Sequence, residues 1–351
     1  MHASAGMAGA GMHSRGAFFK GAYMTSNGMQ KLAAQFLSGV ALVTVLAGSS
    51  LAQWMPSKPI RVIMPFAPGG AAEASIRALT EPLKDRLKQP IVVESRPGGG
   101  QIVAAEAMAK SAPDGYSILW ASSTLISSPM LTGSSFDVMK ELVPVIYMGE
   151  TSIMLAVHPD IPANSLPEFI QYLKANPGKV SFGFAGNGSS MQLAGELIKA
   201  RAGVDMTAVA YKGSAQLLPD LLAGRVPVAV DAITTLRTHV AAGKLKILAV
   251  MNGQRSTVLP NVPTVAEMGY ENFAVGPWTG FFLPAGTPRE IVSTWNREMD
   301  AIIRTPAFAE AVSKALGMVA RGGTPEQFTN LLQQDIAQTA RIIKSAGIKA
   351  E

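Results

Sequence analysis

The sequence predicts a two-lobed α/β protein, with mostly parallel sheets joined by two crossing segments. Three observations predict it. Short, branched apolar runs alternate with helical patterns along the chain, an order that builds parallel sheets covered by helices. Two long strand-like stretches, 143–158 and 273–283, fit poorly as single strands of small sheets and are read as passages between lobes. Residues 53–351 remain after a leader, and 48% of the whole chain is hydrophobic, enough for two cores.

The leader comes first. Lys31 precedes an apolar run over residues 32–47, and Ser50-Leu51-Ala52 follows it. This is the pattern of a secretory signal peptide cleaved near Ala52. A membrane anchor is the alternative, but Gln35, Ser38 and Thr44 interrupt a run already short for a span. The stretch before Lys31 is long for a leader, so the start is read at Met1, Met24 or Met29. Arg15, Lys20 and Lys31 are the charged residues before 53, so the 30 basic and 24 acidic residues of the whole chain become 27 and 24. That balance gives no electrostatic footprint for nucleic acid. The chain has no cysteine, hence no disulfide, thiolate metal site or lipid anchor. After the leader only His158 and His239 remain, far apart and without H-E-x-x-H spacing, so no metal or cofactor is expected. Both are read as exposed or hydrogen-bonded helpers rather than ligands.

The elements follow in order. Ile60, Val62, Ile63 and Met64 read as a strand buried on both faces. Pro68-Gly69-Gly70 breaks it, and Ile76, Leu79, Leu83 and Leu87 then share one helical face. A strand, a glycine turn and a helix start present several N–H groups at one point, where the helix dipole favours an anion. The turn is therefore an anion cradle or an ordinary bend; the Walker and G-x-G-x-x-G patterns are both absent. Pro82 predicts a kink or early stop of the helix. Strand 91–94, helix 103–112 and strand 116–120 continue the alternation, the last ending in Ser122-Ser123-Thr124. In such sheets ligands sit beyond the carboxyl ends of strands, so this turn and Gly69-Gly70 are expected near each other.

Lobe two repeats the pattern. Strand 180–185 leads through Gly186-Asn187-Gly188 to a helix over 191–201, with Ser189 or Ser190 as its N-cap. Strands over 207–211, 226–231 and 245–251 follow, with helices between, and Asp231 ends its strand on the cleft side. Asp231 is read as a cleft residue, with a turn cap as the alternative. The tail predicts helices at 288–304, 306–316 and 325–346, each with proline in its first turn, covering the first lobe. The domain reading is thus leader 1–52, lobe one 53–152 plus 275–351, and lobe two 153–274. Trp120, Trp278, Phe281 and Phe282 read as core or hinge packing, whereas Phe66, at the cradle's mouth, is placed to wall a ligand.

A succession of short motifs then resembles one family. These are Pro65-Phe66-x-Pro68-Gly69-Gly70, Glu94-x-Arg96-Pro97-Gly98, Ala112-Pro113-Asp114-Gly115-Tyr116, Asn176-Pro177-Gly178-Lys179 and Gly186-Asn187-Gly188-Ser189-Ser190. Leu193-Ala194-Gly195-Glu196, Tyr211-Lys212-Gly213, Ala242-Gly243-Lys244, Pro260-x-Val262-Pro263-Thr264 and Pro284-Ala285-Gly286-Thr287-Pro288 continue it. Together they resemble the solute receptors of tripartite tricarboxylate transporters, the Bug receptors, over residues 53–351. The resemblance implies a type II periplasmic binding protein fold in the periplasm, closing around a small carboxylic acid and delivering it to membrane permease subunits. It implies a monomer with no catalytic residues, no cofactor and no nucleic-acid partner. It also implies a ligand held by main-chain N–H groups and water at Gly69, Gly70, Ala71 and Ala72 and at Ala185, Gly186, Asn187, Gly188 and Ser189, with Ser122, Ser123 and Asp231 facing it. Two departures stand out. Ala72-Glu73 replaces the family's usual Thr-Asp, and Gly100-Gln101-Ile102 replaces a more glycine- and asparagine-like run. Glu73 is read as a first-turn helix acid, with ligand contact as the alternative.

Two other classes compete. A secreted enzyme would need a nucleophile and base or a metal; G-x-S-x-G and cysteine are absent, leaving carboxylate chemistry by a pair such as Glu73 and Asp231. A sensor for a membrane signalling protein would share every feature of a transport receptor.

Overall fold

A computed structural model describes residues 54–348 apart from 70, 272 and 274. The expected signal peptide and its expected cleavage near Ala52 lie outside the described residues, and so does Gly70. In chain order the strands are β1 (Ile60–Met64), β2 (Ile91–Ser95), β3 (Ser117–Ser122), β4 (Leu142–Thr151), β5 (Ile153–Val157), β6 (Ser181–Ala185), β7 (Thr207–Tyr211), β8 (Val228–Ala232), β9 (Lys246–Val250), β10 (Trp278–Pro284) and β11 (Met318–Ala320). The helices are α1 (Ala71–Leu87), α2 (Ile102–Ala109), α3 (Thr124–Thr132), α4 (Val138–Glu141), α5 (Leu166–Ala175), α6 (Ser190–Ala202), α7 (Ser214–Leu222), α8 (Ile233–Ala241), α9 (Arg289–Ile303), α10 (Pro306–Leu316) and α11 (Pro325–Ala346).

These strands form two sheets, ordered β11-β4-β10-β3-β1-β2 and β7-β6-β8-β5-β9. β1 lies between β2 and β3, parallel to both, and is buried. β6 is parallel to β7 and β8. The remaining pairs are antiparallel: β10 with β3 and β4, β11 with β4, and β5 with β8 and β9. The two-lobed α/β fold is as expected, but its sheets are mixed rather than mostly parallel. A parallel neighbour needs a long crossover, usually a helix. β4, β5, β9 and β10 are instead the strands through which the chain leaves and re-enters each sheet; β5 and β10 run against the parallel strands, and β4 and β9, each antiparallel to one of those two, run with them.

Both crossings appear where the long apolar stretches lie. Ser152 alone separates β4, in the larger sheet, from β5, in the smaller. The return runs from β9 through residues 251–277 to β10. Asn252 ties the two crossings together: its Oδ1 accepts the Ile153 N–H at 2.8 Å, and its Nδ2 donates to the Thr151 carbonyl at 3.0 Å. Ser152 is further held by its N–H on the Gly317 carbonyl, while its own carbonyl accepts the Ile233 N–H.

Two sequence expectations need correction here. Helix α1 runs unbroken through Pro82. An internal proline costs roughly 3 kcal/mol, and the burial of Ile76, Leu79, Leu83 and Leu87, each worth about 1.5–3 kcal/mol, outweighs it. The tail helices do not all cover the first lobe. α9 and α10 pack Trp295, Met299, Phe308 and Val312 beneath the six-stranded sheet. α11 is shared: Phe328 and Leu332 join Trp278 and Phe282 in one core, whereas Ile342 joins Ile153, Phe182 and Leu193 in the core of the five-stranded sheet. Twenty-two residues reach that far, since a helix rises 1.5 Å per residue.

Candidate ligand-binding site

A cavity of about 420 Å³ opens between the loops that follow the strands of the two sheets. One wall carries Pro65, Phe66 and Ala67 after β1, Pro97, Gly98, Gly100 and Gln101 after β2, and Ser122 and Thr124 after β3. The other carries Ala185, Gly186 and Asn187 after β6, and Ser189, Ser190 and Met191 at the start of α6; Pro277 of the return crossing closes it. Carboxyl ends of parallel strands thus line both sides, as doubly wound sheets arrange their ligand sites.

Two helix N-termini converge at this cavity, one from each sheet. Ser123 precedes α3 and Ser190 begins α6, and their hydroxyls lie 2.7 Å apart. Beside them the Ser127 hydroxyl donates to the Gly188 carbonyl at 2.5 Å. The α6 end is locally rigid. Ser189 is the N-cap, accepting the Gln192 N–H, while the Gln192 side chain takes the Gly188 N–H at 2.7 Å. Gly186 and Gly188 both have positive φ, 82° and 74°, which leaves their loop a path that L side chains rarely take. The first N–H groups of a helix have no partner within it. At Thr124, Ser190 and Met191 those groups belong to residues that line the cavity, and both dipoles favour an anion there.

Gln101 shapes the opposite side. It adopts a left-handed backbone, φ 79°, unusual for a residue other than glycine. Its side-chain amide holds Ser122 twice, donating Nε2–H to the hydroxyl at 2.5 Å and accepting the Ser122 N–H at 3.1 Å. Those two bonds offset a backbone cost of order 1–3 kcal/mol. They also consume the Ser122 amide as a donor.

The Gly69 turn is arranged differently. The Glu73 carboxylate reaches back to accept the Gly69 N–H at 2.8 Å and pairs with Arg77. The Gly69 amide, then Arg77, hold the Glu73 carboxyl below its usual range. The cradle expected there is occupied by the chain's own carboxylate. Glu73 therefore acts at the first helical turn, and neither it, Gly69 nor Ala72 lines the cavity. Ala72 packs on the core, and the side chain of Ala71 lies outside the described residues.

The sequence profile described as the tripartite tricarboxylate transporter family receptor, TctC, matches residues 75–348. The chain belongs to this receptor family. Protein BugT of Bordetella pertussis is 35% identical over 318 residues, covering 89% of this chain and 96% of the relative. Among solved structures, R. palustris Rpa4515 with adipate has a TM-score of 0.74 at 29% identity, covering 84% of this chain and 99% of the neighbour. MatC from Rhodopseudomonas palustris with bound malate has a TM-score of 0.70 at 28% identity, covering 82% of this chain and all of the neighbour. The periplasmic binding protein BugD is similar at 0.71 and 31%, covering 84% of this chain and 100% of the neighbour. Family and fold are those of binding receptors rather than enzymes.

Within this receptor, the expected residues divide. Phe66, Ser122, Ala185, Gly186, Asn187 and Ser189 meet at the cavity. Phe66 stands edge-on to the buried Trp120, with ring centroids 5.9 Å apart. Ser123 faces a small space of about 40 Å³ behind its contact with Ser190, shared with Asp335 and Thr339. Gly188 borders a neighbouring groove with Gln192 and Thr132. Sequence reasoning missed Pro65, Ala67, Pro97, Gly98, Gly100, Gln101, Thr124, Ser190, Met191 and Pro277 as lining residues. For Pro97, Gly98, Gly100 and Gln101 the signal was present, since Arg96-Pro97-Gly98-Gly99-Gly100 is another glycine turn directly after a strand.

Asp231 is the expected residue that departs most. It is 1% exposed and does not line the cavity. Its Oδ1 accepts the Ser214 hydroxyl at 2.8 Å and the Ala232 N–H at 2.7 Å, while Oδ2 is buried without a hydrogen-bond partner among the described residues. Burial pushes its carboxyl above the ordinary range, against the pull of those two bonds. The folded protein then keeps a proton that the unfolded chain has released. The protonated group's contribution is intact below the ordinary carboxylate range, about pH 4, and is lost as pH rises through the raised folded value. Asp231→Asn mimics the protonated form and escapes that loss. Its melting temperature is expected to exceed that of the native chain by a margin that widens between about pH 4 and about pH 7. A margin that shrinks over that range would mean that the fold lowers the Asp231 carboxyl instead of raising it.

Proposed function

We propose that this chain is a periplasmic receptor that closes around a small carboxylic acid and hands it to the membrane permease of a tripartite transporter. The observation that carries the reading is the convergence of the α3 and α6 N-termini on one cavity between the two sheets. A carboxylate seated there completes hydrogen bonds to both lobes only when they are closed, and a bond to a charged group contributes about 1.5–3 kcal/mol. Adipate and malate in the structures of the similar R. palustris proteins support the ligand class. In this reading the lobes are 53–152 with 275–351, and 153–274, the chain acts as a monomer without cofactor, and the leader is removed near Ala52. The ligand-binding residues are Phe66, Ser122, Thr124, Ala185, Gly186, Asn187, Ser189, Ser190 and Met191, supported by Gln101.

A thermal-shift screen of the purified protein against mono-, di- and tricarboxylates tests this. A bound acid at a hundredfold excess over its dissociation constant should stabilise the fold by about 2.7 kcal/mol, and the acid should be recovered unchanged. Stabilisation by no acid, or consumption of the acid over many turnovers, would refute the receptor reading.

A further inference from the structure

Resting on that receptor reading, we propose that the ligand is a monocarboxylate with an apolar body, bound with its carboxylate at the α3 and α6 end and its body toward Phe66. Two helix N-termini reach the cavity, at Thr124 and at Ser190. Its apolar lining is Pro65 and Phe66 after β1 and Pro97 after β2, with Met191 and Pro277 beside the helix ends. None of the described lining residues carries a charged side chain.

On the Phe66 wall, donors that a second carboxylate could use are engaged within the chain at Ser122, Gln101 and Gly69. The Ser122 N–H and the Gln101 side-chain amide bond one another. The Gly69 N–H, on the turn that continues from Phe66, is taken by Glu73. A carboxylate removed from water needs a cation or several hydrogen bonds to replace its hydration. The helix ends meet that need once. An apolar ring or chain, by contrast, gains from leaving water against Phe66, Met191 and the prolines, and the Phe66 ring, 39% exposed, is free to cover it.

Titration calorimetry with two matched pairs decides the matter: benzoate against terephthalate, and hexanoate against adipate. Each monocarboxylate is expected to bind at least tenfold tighter than its dicarboxylate partner. A dicarboxylate that binds as tightly as its partner in either pair overturns the assignment and leaves the receptor reading standing. Absence of binding by all four acids at millimolar concentration also overturns the assignment, and the wider carboxylate screen then decides the receptor reading separately.

Discussion

Asn252→Leu should destabilise the protein by about 2–5 kcal/mol, although leucine keeps the branched heavy-atom skeleton of asparagine. Asn252 is 4% exposed, and its amide satisfies two backbone groups on either side of Ser152, the Ile153 N–H and the Thr151 carbonyl. Leucine leaves both without their partner at the first crossing, and each buried unsatisfied group costs about 1–3 kcal/mol. No secondary structure replaces those bonds, because at Ser152 the chain leaves one sheet and enters the other. Gly276, on the return crossing, is also close: a side chain there would run into the Asn252 amide. Urea unfolding of the native and variant proteins measures the loss. A change below about 0.5 kcal/mol, the range of an ordinary surface substitution, would mean that strand pairing alone sets the crossings.

The fold was legible because its strands are short and apolar and its turns are marked by glycine. Ile60, Val62, Ile63 and Met64 could only be a buried strand, and residues 143–158 were too long to stay in one sheet. Strand direction was harder to read. Nothing in the composition of residues 278–284 distinguishes an antiparallel strand returning from another lobe from a parallel one following a helix. Pro82 misled for a related reason: a local rule predicted a break, and the buried face of α1 overrode it. α11 misled because its apolar positions read as one stripe, whereas Phe328 and Ile342 enter different cores.

The site was legible in part. Several turns in this chain follow a strand with glycine or serine and then begin a helix, and each presents N–H groups. Sequence alone does not say which of them face one another. The Gly69 turn read as an anion cradle or an ordinary bend, and Glu73 four residues later satisfies its Gly69 N–H from within. The Ser122-Ser123-Thr124 turn has no glycine and contributes Ser122 and Thr124 to the cavity. Asp231 lies one residue before the end of β8, and its carboxyl turns to Ser214 and Ala232 and away from the cavity. Direction of a side chain at a strand end depends on the turn that follows, and that turn carries no marker in the sequence.

Ser190→Pro should weaken binding of the carboxylate roughly tenfold to a hundredfold while leaving α6 intact. Ser190 is the first residue of that helix, the position where proline is best tolerated, since its missing N–H would have no helical partner there. Proline also requires an extended residue before it, and Ser189 already has φ −73° and ψ 159°. The substitution therefore removes a donor aimed at the ligand without breaking the helix. A hydrogen bond to a charged group contributes about 1.5–3 kcal/mol, and 1.4 kcal/mol is tenfold in affinity. Proline also deletes the hydroxyl that meets Ser123 across the lobes at 2.7 Å. Ser190→Ala separates the two effects, because it deletes the hydroxyl and keeps the N–H. If the amide holds the ligand, Ser190→Ala loses less than half the binding free energy that Ser190→Pro loses, and both melt near the native temperature without ligand. Equal losses in the two variants would assign the effect to the contact between Ser123 and Ser190, and unchanged binding by a folded Ser190→Pro would move the carboxylate away from the α6 N-terminus.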